Sequence, residues 1–561
     1  MKKDLKISID SSVVALSIVV VLWMGHCLLN YVWIEKDTWY PFTDSFTYFN
    51  KSYSIYKYGG DSIAGFFGAV IKTCKFRPPL VFLGPLPFFS LMGVSYKACL
   101  IPNFAYLLVL MLSVYGIGSR MFGKPEGLLA AFLVSTYPEI ISLSRVYLLD
   151  LPMIAATTLC IFTLMLTDRF RSLPYSILFG VVFGMVFLVK WTSLVFIVPP
   201  AIAWLVWPER EDAWKWPELK QLRNLCLSVA VSFLIASWWI LPNLKPVVVE
   251  VFRASFGSRT PQYSLGVPFF HPKRLLYYPG VVLSQDVAFF VLFFLGVATF
   301  VWRIYRNGAV RAEHTALLVA WILVPYAVFT YSPKAWPRFV APFLPGLCLM
   351  ASAGLLSLKN MRVRRCLVTI SVVFCTVSLV SLTFANCYSL GRAGQALGKV
   401  HRFFRSGYPL YEKFYAGHPS IEYFDTYTRP FREDDWEIKA ILNDVRQMMG
   451  SERVAISILS HHPFFHHGAF EYFSKSMDSP RIIVKRYNWA SEPIDKAVLT
   501  SDYVVFKTGF NGARFAIKEI ERFTEAIEAN PELLHSKFAE MSRYELPDGS
   551  SAKLYRKISL K

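Results

Sequence analysis

Asp44 stands just past the first long apolar stretch of the chain, in Thr43-Asp44-Ser45-Phe46-Thr47-Tyr48-Phe49. A carboxylate there is a candidate general base, able to take the proton from a hydroxyl as that oxygen attacks. Read structurally, the same acid is a helix N-cap or a solvated loop residue. Arg77 comes next, in Arg77-Pro78-Pro79-Leu80. The paired prolines fix an extended approach and hold the arginine rigidly before an apolar stretch. A guanidinium fixed in that way suits a phosphate, whereas its plainer reading is a positive residue at a turn entering a membrane interface.

More charges interrupt apolar sequence further on: Arg145 with Asp150 beside it, Lys190 in Val189-Lys190-Trp191-Thr192, and Lys334 and Arg338 in Ser332-Pro333-Lys334-Ala335-Trp336-Pro337-Arg338. Charges held near a bilayer pair with one another, snorkel or line a site. Arg145 and Asp150 therefore read as an ion pair, structural or part of a site, while several cations on one face favour an anionic ligand. His271-Pro272-Lys273-Arg274 and the following Tyr277-Tyr278-Pro279-Gly280 form a basic and aromatic cluster before another apolar run, suited to a lipid headgroup or to an interfacial belt. The most metal-like run, His461-His462-Pro463-Phe464-Phe465-His466-His467, contains no acid or cysteine, and a proline and two phenylalanines part its histidine pairs. It is assigned to a loop between a strand and a helix, not to a metal site.

The elements that must position these residues are membrane helices. Of 561 residues, 54% are hydrophobic and 17% charged, outside the usual balance of soluble globular chains. About eleven apolar runs approach the roughly 17–25 residues that a crossing takes. The clearest lie at 12–33, 98–118, 225–241, 287–302, 315–330, 338–355 and 366–385, with four more at 125–143, 149–166, 175–188 and 192–207. The basic start Met1-Lys2-Lys3-Asp4-Leu5-Lys6 is like that of a signal peptide. The run that follows is long and has no small-residue cleavage site, so it is expected to stay as an anchor.

The formal charge of +20 arises from 59 Lys and Arg against 39 Asp and Glu. The short loops 168–171, 303–311 and 359–365 are basic, which puts them and the N-terminus on the cytoplasmic side. The charge then serves topology and an anionic ligand, and nucleic acid is not expected as a partner. An odd number of spans carries residues 386–561 to the far side, periplasmic or lumenal, together with long outer segments near 34–97 and 243–285. A short interfacial helix is expected at 62–70.

The chain thus divides into a membrane part, 1–385, and a soluble part, 386–561. Strand-like runs at 453–459 and 503–506 alternate in the latter with helical patterns at 436–449 and 516–529, and Pro547-Asp548-Gly549 marks a hairpin. A small α/β domain follows from that alternation. The nine cysteines have no metal-like spacing, and the tail contains only Cys387, so no internal disulfide holds it.

In order and context these motifs resemble the GT-C superfamily of membrane glycosyltransferases, in particular the branch of protein O-mannosyltransferases and lipid A aminoarabinose transferases. That family opens its first outer loop with an acid followed by a tyrosine, here Asp44 and Tyr48, and closes it with a basic residue before Pro-Pro-Leu, here Arg77-Pro78-Pro79-Leu80. Later come an Arg and an Asp like Ser144-Arg145 to Asp150-Leu151-Pro152, a lysine like Lys190, and an arginine like that of Pro337-Arg338-Phe339. The resemblance covers roughly residues 1–358. It departs from the family at Ser45, where a second acid is common, and at Arg77, where many members have lysine.

The resemblance implies an α-helical polytopic membrane protein of GT-C-like fold that moves a sugar from a polyprenyl-phosphate donor to an acceptor hydroxyl on a lipid, glycan or protein, with inversion. Asp44 would be the base, and Arg77, Lys273, Arg274 and Arg338 would stabilise the departing phosphate, supported by Tyr48, Arg145, Asp150, Lys190, His271, Tyr277 and Lys334. No cofactor is called for, a divalent metal ion being the one left open, and membrane lipids are the further partners. The C-terminus carries no retrieval signal, so the expected location is a bacterial inner membrane. Two other classes compete: a transporter or flippase of an anionic amphipathic lipid, and a non-enzymatic scaffold whose tail is the working part. The tail itself is expected to position the acceptor, dock a partner or cap the cavity.

Overall fold

The structure is a computed structural model, and it describes residues 12–38, 43–60, 62–207, 217–257, 264–307, 312–416, 418, 429–477, 479, 481–485, 498, 500–512, 520 and 537–558. Among these, six helices are long and apolar enough to cross a bilayer: Ser12–Lys36, Tyr96–Met121, Leu219–Arg253, Val287–Tyr305, Ala312–Thr330 and Met361–Phe384. A seventh span is formed if Lys124–Thr136 and Pro138–Ser144, which meet at 63°, count as one. The bend falls at Pro138, whose ring cannot follow a helical residue, and Tyr137 before it is extended (φ −67°, ψ 130°).

The expectation of about eleven crossings is not confirmed by length and composition among the described residues. Four of the expected runs fold as the shorter apolar helices Asp150–Leu166, Leu173–Val189, Trp191–Val206 and Ala341–Leu356. At 1.5 Å per residue 17 residues reach about 25 Å, the short end of what a crossing takes. Asp150–Leu166 is buried along most of its length, so protein rather than lipid surrounds it. The opposite departure occurs at Leu219–Phe256, which stays helical for 38 residues through Pro242 and Pro246. The second outer segment, expected to begin at Asn243, thus starts as the continuation of a span.

Two helices frame the segment expected to be the first outer one: α1 (Ser12–Lys36) leads in, and α2 (Thr43–Tyr58) follows with Asp44 in its first turn. Next is α3 (Ile63–Cys74), the expected interfacial helix, capped by Ser62 Oγ accepting the Gly65 N–H at 3.1 Å. It buries Val70 and Cys74 and leaves Ile63 and Phe67 exposed. Two short helices, Leu80–Leu83 and Leu86–Met92, complete the segment.

The soluble part is built on a five-stranded sheet, β1 (Val454–Leu459), β4 (Ile482–Val484), β5 (Tyr503–Lys507), β6 (Phe538–Glu545) and β7 (Ser551–Lys557), in the order β4-β1-β5-β7-β6. β1 runs parallel to β4 and β5, and β7 is antiparallel to β5 and β6. β1 and β5 are buried almost throughout, as strands covered on both faces must be. Helix Ile438–Met448 buries Ile438, Ile441, Leu442 and Val445, a single stripe at helical spacing. The turn between β6 and β7 contains Gly549 at φ 75°, where a side chain would be strained. The run expected at 516–529 lies outside the described residues. The histidine run forms a two-stranded ribbon, β2 (His461–His462) with β3 (Phe465–His466), that leads directly into helix His467–Ser476.

Close packing of small residues joins Val287–Asn307 to Leu344–Leu356. A Cβ on Gly354 would lie 2.0 Å from the Gly296 carbonyl oxygen, and one on Gly296 2.4 Å from the Ala351 Cα. Replacing Gly354 with Ala is expected to lower the thermal midpoint of the detergent-solubilised protein, with a cost of about 1–3 kcal/mol from overpacking. A midpoint equal to that of the parent chain would contradict this contact.

Candidate active site

Asp44, Arg77, Asp150, Lys190 and Arg338 form one cluster. Arg338 Nη2 donates to Asp44 Oδ2 at 2.8 Å, and its Nη1 lies 3.8 Å from Asp150 Oδ2. Lys190 Nζ donates to Asp150 Oδ1 at 3.0 Å, and Arg77 Nη2 stands 3.9 Å from Asp44 Oδ1. Arg338 thus bridges two carboxylates, one of them 294 residues away in sequence.

Local structure explains why each group arrives there. Asp44 and Asp150 both occupy first helical turns, where the exposed N–H groups favour an anion. Lys190 follows the last residue of Leu173–Val189 in extended conformation, and a cation at a helix C-terminus is favoured for the same reason. Arg77 sits between α3 and Leu80–Leu83, its N–H bonded to Cys74 O at 2.8 Å, with Pro78 and Pro79 limiting the backbone behind it. Arg338 belongs to the 3-10 turn Pro337–Phe343, which has Pro337 at its start and Pro342 inside. Tyr48 lies one turn along α2 from Asp44, and the Arg77 guanidinium stacks 4.8 Å over its ring.

Three cations against two carboxylates leave these five groups with an excess of one positive charge. Burial would raise the Asp44 carboxyl, but Arg338, Arg77, the hydrogen bond from Arg338 and the charge of Lys190 outweigh it and hold the group below its ordinary value. Burial, with the charge of Asp44 next, pushes the Tyr48 phenol up, so it stays protonated. The donor set does not fit a divalent metal ion: Asp44 and Asp150 are engaged by guanidinium and ammonium groups, and the neighbour of Asp44 is Ser45. Such a cluster can hold an anion against Arg338, Arg77 and Lys190 while presenting one carboxylate beside it. With a third of its side chain exposed, Asp44 is the more accessible of the two acids.

The other residues singled out in the sequence go elsewhere. Arg145 does not pair with Asp150. Its Nε donates to Asn30 Oδ1 at 2.9 Å and its Nη2 to Thr383 Oγ1 at 2.7 Å, with the guanidinium over the Trp33 ring. The chain turns between helices Pro138–Ser144 and Asp150–Leu166, so the two side chains leave in different directions: Arg145 toward Ser12–Lys36 and Met361–Phe384, Asp150 toward Lys190 and Arg338. Lys273 and Arg274 are not drawn into the ion cluster. Lys273 Nζ lies over the Phe414 ring at 5.3 Å, and Arg274 donates to the carbonyls of Val267, Pro268 and Ser332. His271 caps helix Pro272–Gln285 by accepting the Lys273 N–H at 3.1 Å. Tyr277 is buried among Tyr278, Tyr411, Tyr415 and His418, an interior rather than a headgroup position. Lys334 donates its backbone N–H to Ser332 Oγ in the turn that leads to Arg338.

Two residues beside the cluster escaped the sequence reading. Tyr147 is buried with its hydroxyl bonded to Ser52 Oγ at 2.8 Å and Val81 O at 3.0 Å, which ties α2 to the segment after Pro79. Glu139 is buried in Pro138–Ser144 and accepts from Gln285 Nε2 at 3.0 Å. Its signal was present, an acid inside an apolar run.

Residues 77–239 match the family of dolichyl-phosphate-mannose-protein mannosyltransferases, a stretch that contains Arg77, Asp150 and Lys190. No curated protein matches the chain. Among solved structures it is similar to ArnT from Cupriavidus metallidurans bound to undecaprenyl phosphate, with a TM-score of 0.55 at 11% identity over 95% of this chain and 97% of that one. The fold is that of the GT-C membrane glycosyltransferases. It is also similar to the archaeal oligosaccharyltransferase AglB from Archaeoglobus fulgidus in complex with an inhibitory peptide and a dolichol-phosphate, with a TM-score of 0.50 at 13% identity over 97% of this chain and 74% of that one. These likenesses establish the GT-C architecture, and the mannosyltransferase match covers the part of it that carries three of the five clustered charges.

A depressed Asp44 contributes stability that is present above the ordinary carboxylate value of about 4 and is lost as pH falls through the folded value. The thermal midpoint of the parent chain should therefore exceed that of Asp44→Asn at neutral pH, and the gap should close below about pH 4. A gap that does not change with pH would remove Asp44 from the ion cluster.

Proposed function

We propose that the chain is a glycosyltransferase that moves a sugar from a polyprenyl-phosphate donor to an acceptor hydroxyl at the outer face of a bacterial inner membrane, with its N-terminus cytoplasmic and residues 386–561 periplasmic. The carrying observation is the Asp44–Arg338 contact at 2.8 Å within a cluster of excess positive charge. The mannosyltransferase match over residues 77–239 and the lipid phosphates bound by the similar structures support the same class of donor.

In this reading the donor phosphate enters against Arg338, Arg77 and Lys190 and competes with Asp44 for the Arg338 guanidinium. Asp44 loses its strongest partner and regains basicity. The acceptor O–H gives its proton to the Asp44 carboxylate, the oxygen bonds to the anomeric carbon, and the bond from that carbon to the phosphate oxygen breaks. The polyprenyl phosphate departs with the bonding electrons, and the cations stabilise its growing charge. A polyprenyl phosphate is a good leaving group, so no strong acid is needed on that side. Attack opposite the leaving group inverts the anomeric centre. The prenyl chain stays in lipid throughout.

Incubation with a panel of polyprenyl-phosphate sugars should find one that is consumed. Asp44→Asn should lower its turnover by roughly 10²–10⁴-fold, the usual contribution of a general base, while donor binding survives. Arg338→Gln should weaken binding of undecaprenyl phosphate itself, measured by displacement of a labelled donor. Consumption of none of the panel by the parent chain, or full turnover by Asp44→Asn, would sink the reading.

A further inference from the structure

Helix α2 presents two stripes to two different parts of the protein. Asp44, Tyr48 and Ser52, four residues apart, face the membrane part: Arg338 and Arg77 meet Asp44, Arg77 stacks on Tyr48, and Ser52 Oγ meets the Tyr147 hydroxyl. Phe46, Phe49, Asn50 and Tyr53, spaced at three and four, form the other stripe. Every one of them touches the soluble part. The Phe46 ring lies 5.5 Å from His466 and 5.7 Å from Tyr472, and Phe49 lies 5.1 Å from Tyr472. Lys475 Nζ donates to Asn50 Oδ1 at 2.6 Å and lies 5.1 Å from the Tyr53 ring.

The opposing surface is itself a helical stripe. Gly468, Tyr472 and Lys475 recur at four and three along His467–Ser476, and a Cβ on Gly468 would come within 3.1 Å of the Phe46 Cγ. Tyr472 is fixed from behind, since its hydroxyl accepts the Tyr96 N–H at 3.1 Å. Lys475 is fixed by Glu471 at 2.7 Å. A second clamp holds the entry to α2: Arg429 Nη1 and Nη2 grip Asp37 at 2.8 and 3.0 Å, and Thr38 N–H donates to Arg432 O at 2.9 Å.

We infer that the soluble domain positions the acid of the transfer site: Tyr472 and Lys475 set the rotation of α2 about its axis and thereby the place of the Asp44 carboxylate relative to Arg338 and Arg77. Stripes on opposite sides of one helix are rigidly linked, so rolling the docking stripe carries Asp44 away from both guanidiniums. A displacement of about 1 Å at a reacting group costs on the order of a hundredfold in rate. Tyr472 and Lys475 meet the stripe of α2 that faces away from Asp44 and are positioning residues. The inference rests on the transferase reading for its effect on rate, and on geometry alone for its effect on the ion pair.

The test uses the full chain with Tyr472→Ala and Lys475→Met combined, beside Tyr472→Phe, which keeps the ring. With the donor identified by the panel, the double variant should lose on the order of tenfold to a hundredfold in kcat, while binding undecaprenyl phosphate at least as tightly as the parent chain, since Asp44 no longer competes for Arg338. The acid limb of its kcat/KM profile, which reports the free enzyme, should move to higher pH, as expected of a carboxylate withdrawn from Arg338. Tyr472→Phe should retain most of the turnover. Independently of activity, the pH-dependent gap in thermal midpoint between the chain and its Asp44→Asn form should shrink in the double-variant background. A folded double variant with unchanged kcat, acid limb and gap overturns the inference and leaves the domain a cap. A panel in which no donor is consumed overturns the transferase reading instead, and the midpoint gap then decides the positioning role by itself.

Discussion

Charge in an apolar surrounding must be paired, and the contact of Arg338 with Asp44 at 2.8 Å is where this chain meets that constraint. Left unpaired beside the ends of so many apolar helices, either charge would cost stability. The pairing is also uneven, because within the cluster the three cations Arg77, Lys190 and Arg338 meet the two carboxylates of Asp44 and Asp150. Such a cluster has room for a further anion, so structural stability and the proposed chemistry draw on the same groups.

The helical scaffold is arranged around helix ends. Asp150 begins a buried helix, Lys190 follows the end of another, and Arg338 precedes Leu344–Leu356 by one 3-10 turn. Ends carry the unsatisfied backbone groups of a helix, so charges placed there gain from the dipole while reaching outward. Short helices put such ends within the thickness of the molecule, where full-length spans would put them at its surfaces. The bend at Pro138 and the close contacts at Gly296 and Gly354 serve the same arrangement, bringing helices near enough for side chains from distant sequence to touch.

The soluble domain enters this arrangement from one side. Its parallel strands β1, β4 and β5 carry the connection that becomes the β2–β3 ribbon and helix His467–Ser476, and that helix lies on α2. Of the four histidines in that run of seven residues, His466 packs at the domain junction: it caps the helix and meets the Phe46 ring edge-on. His462 packs on Trp436 within the domain, and burial, with Lys507 second, lowers it to about 3 and keeps it neutral. Among the described residues no group of three or more His, Cys, Asp or Glu side chains is placed to hold a metal ion.

Hydropathy and period, which act within a few residues, were enough to determine the apolar runs, the helix α3, the strands at 454–459 and 503–507 and the α/β character of the tail. Residue type in context also singled out Asp44, Tyr48, Arg77, Asp150, Lys190 and Arg338 before any was seen together. Partner choice was decided only by the tertiary structure. Asp150 took Lys190 and Arg338 in place of the nearby Arg145, and Lys273 and Arg274 were drawn to a ring and to carbonyls. The reason is that local pattern sets which face of a helix is apolar, whereas an ion pair across 294 residues depends on the order in which helices pack, a property no short window of sequence contains.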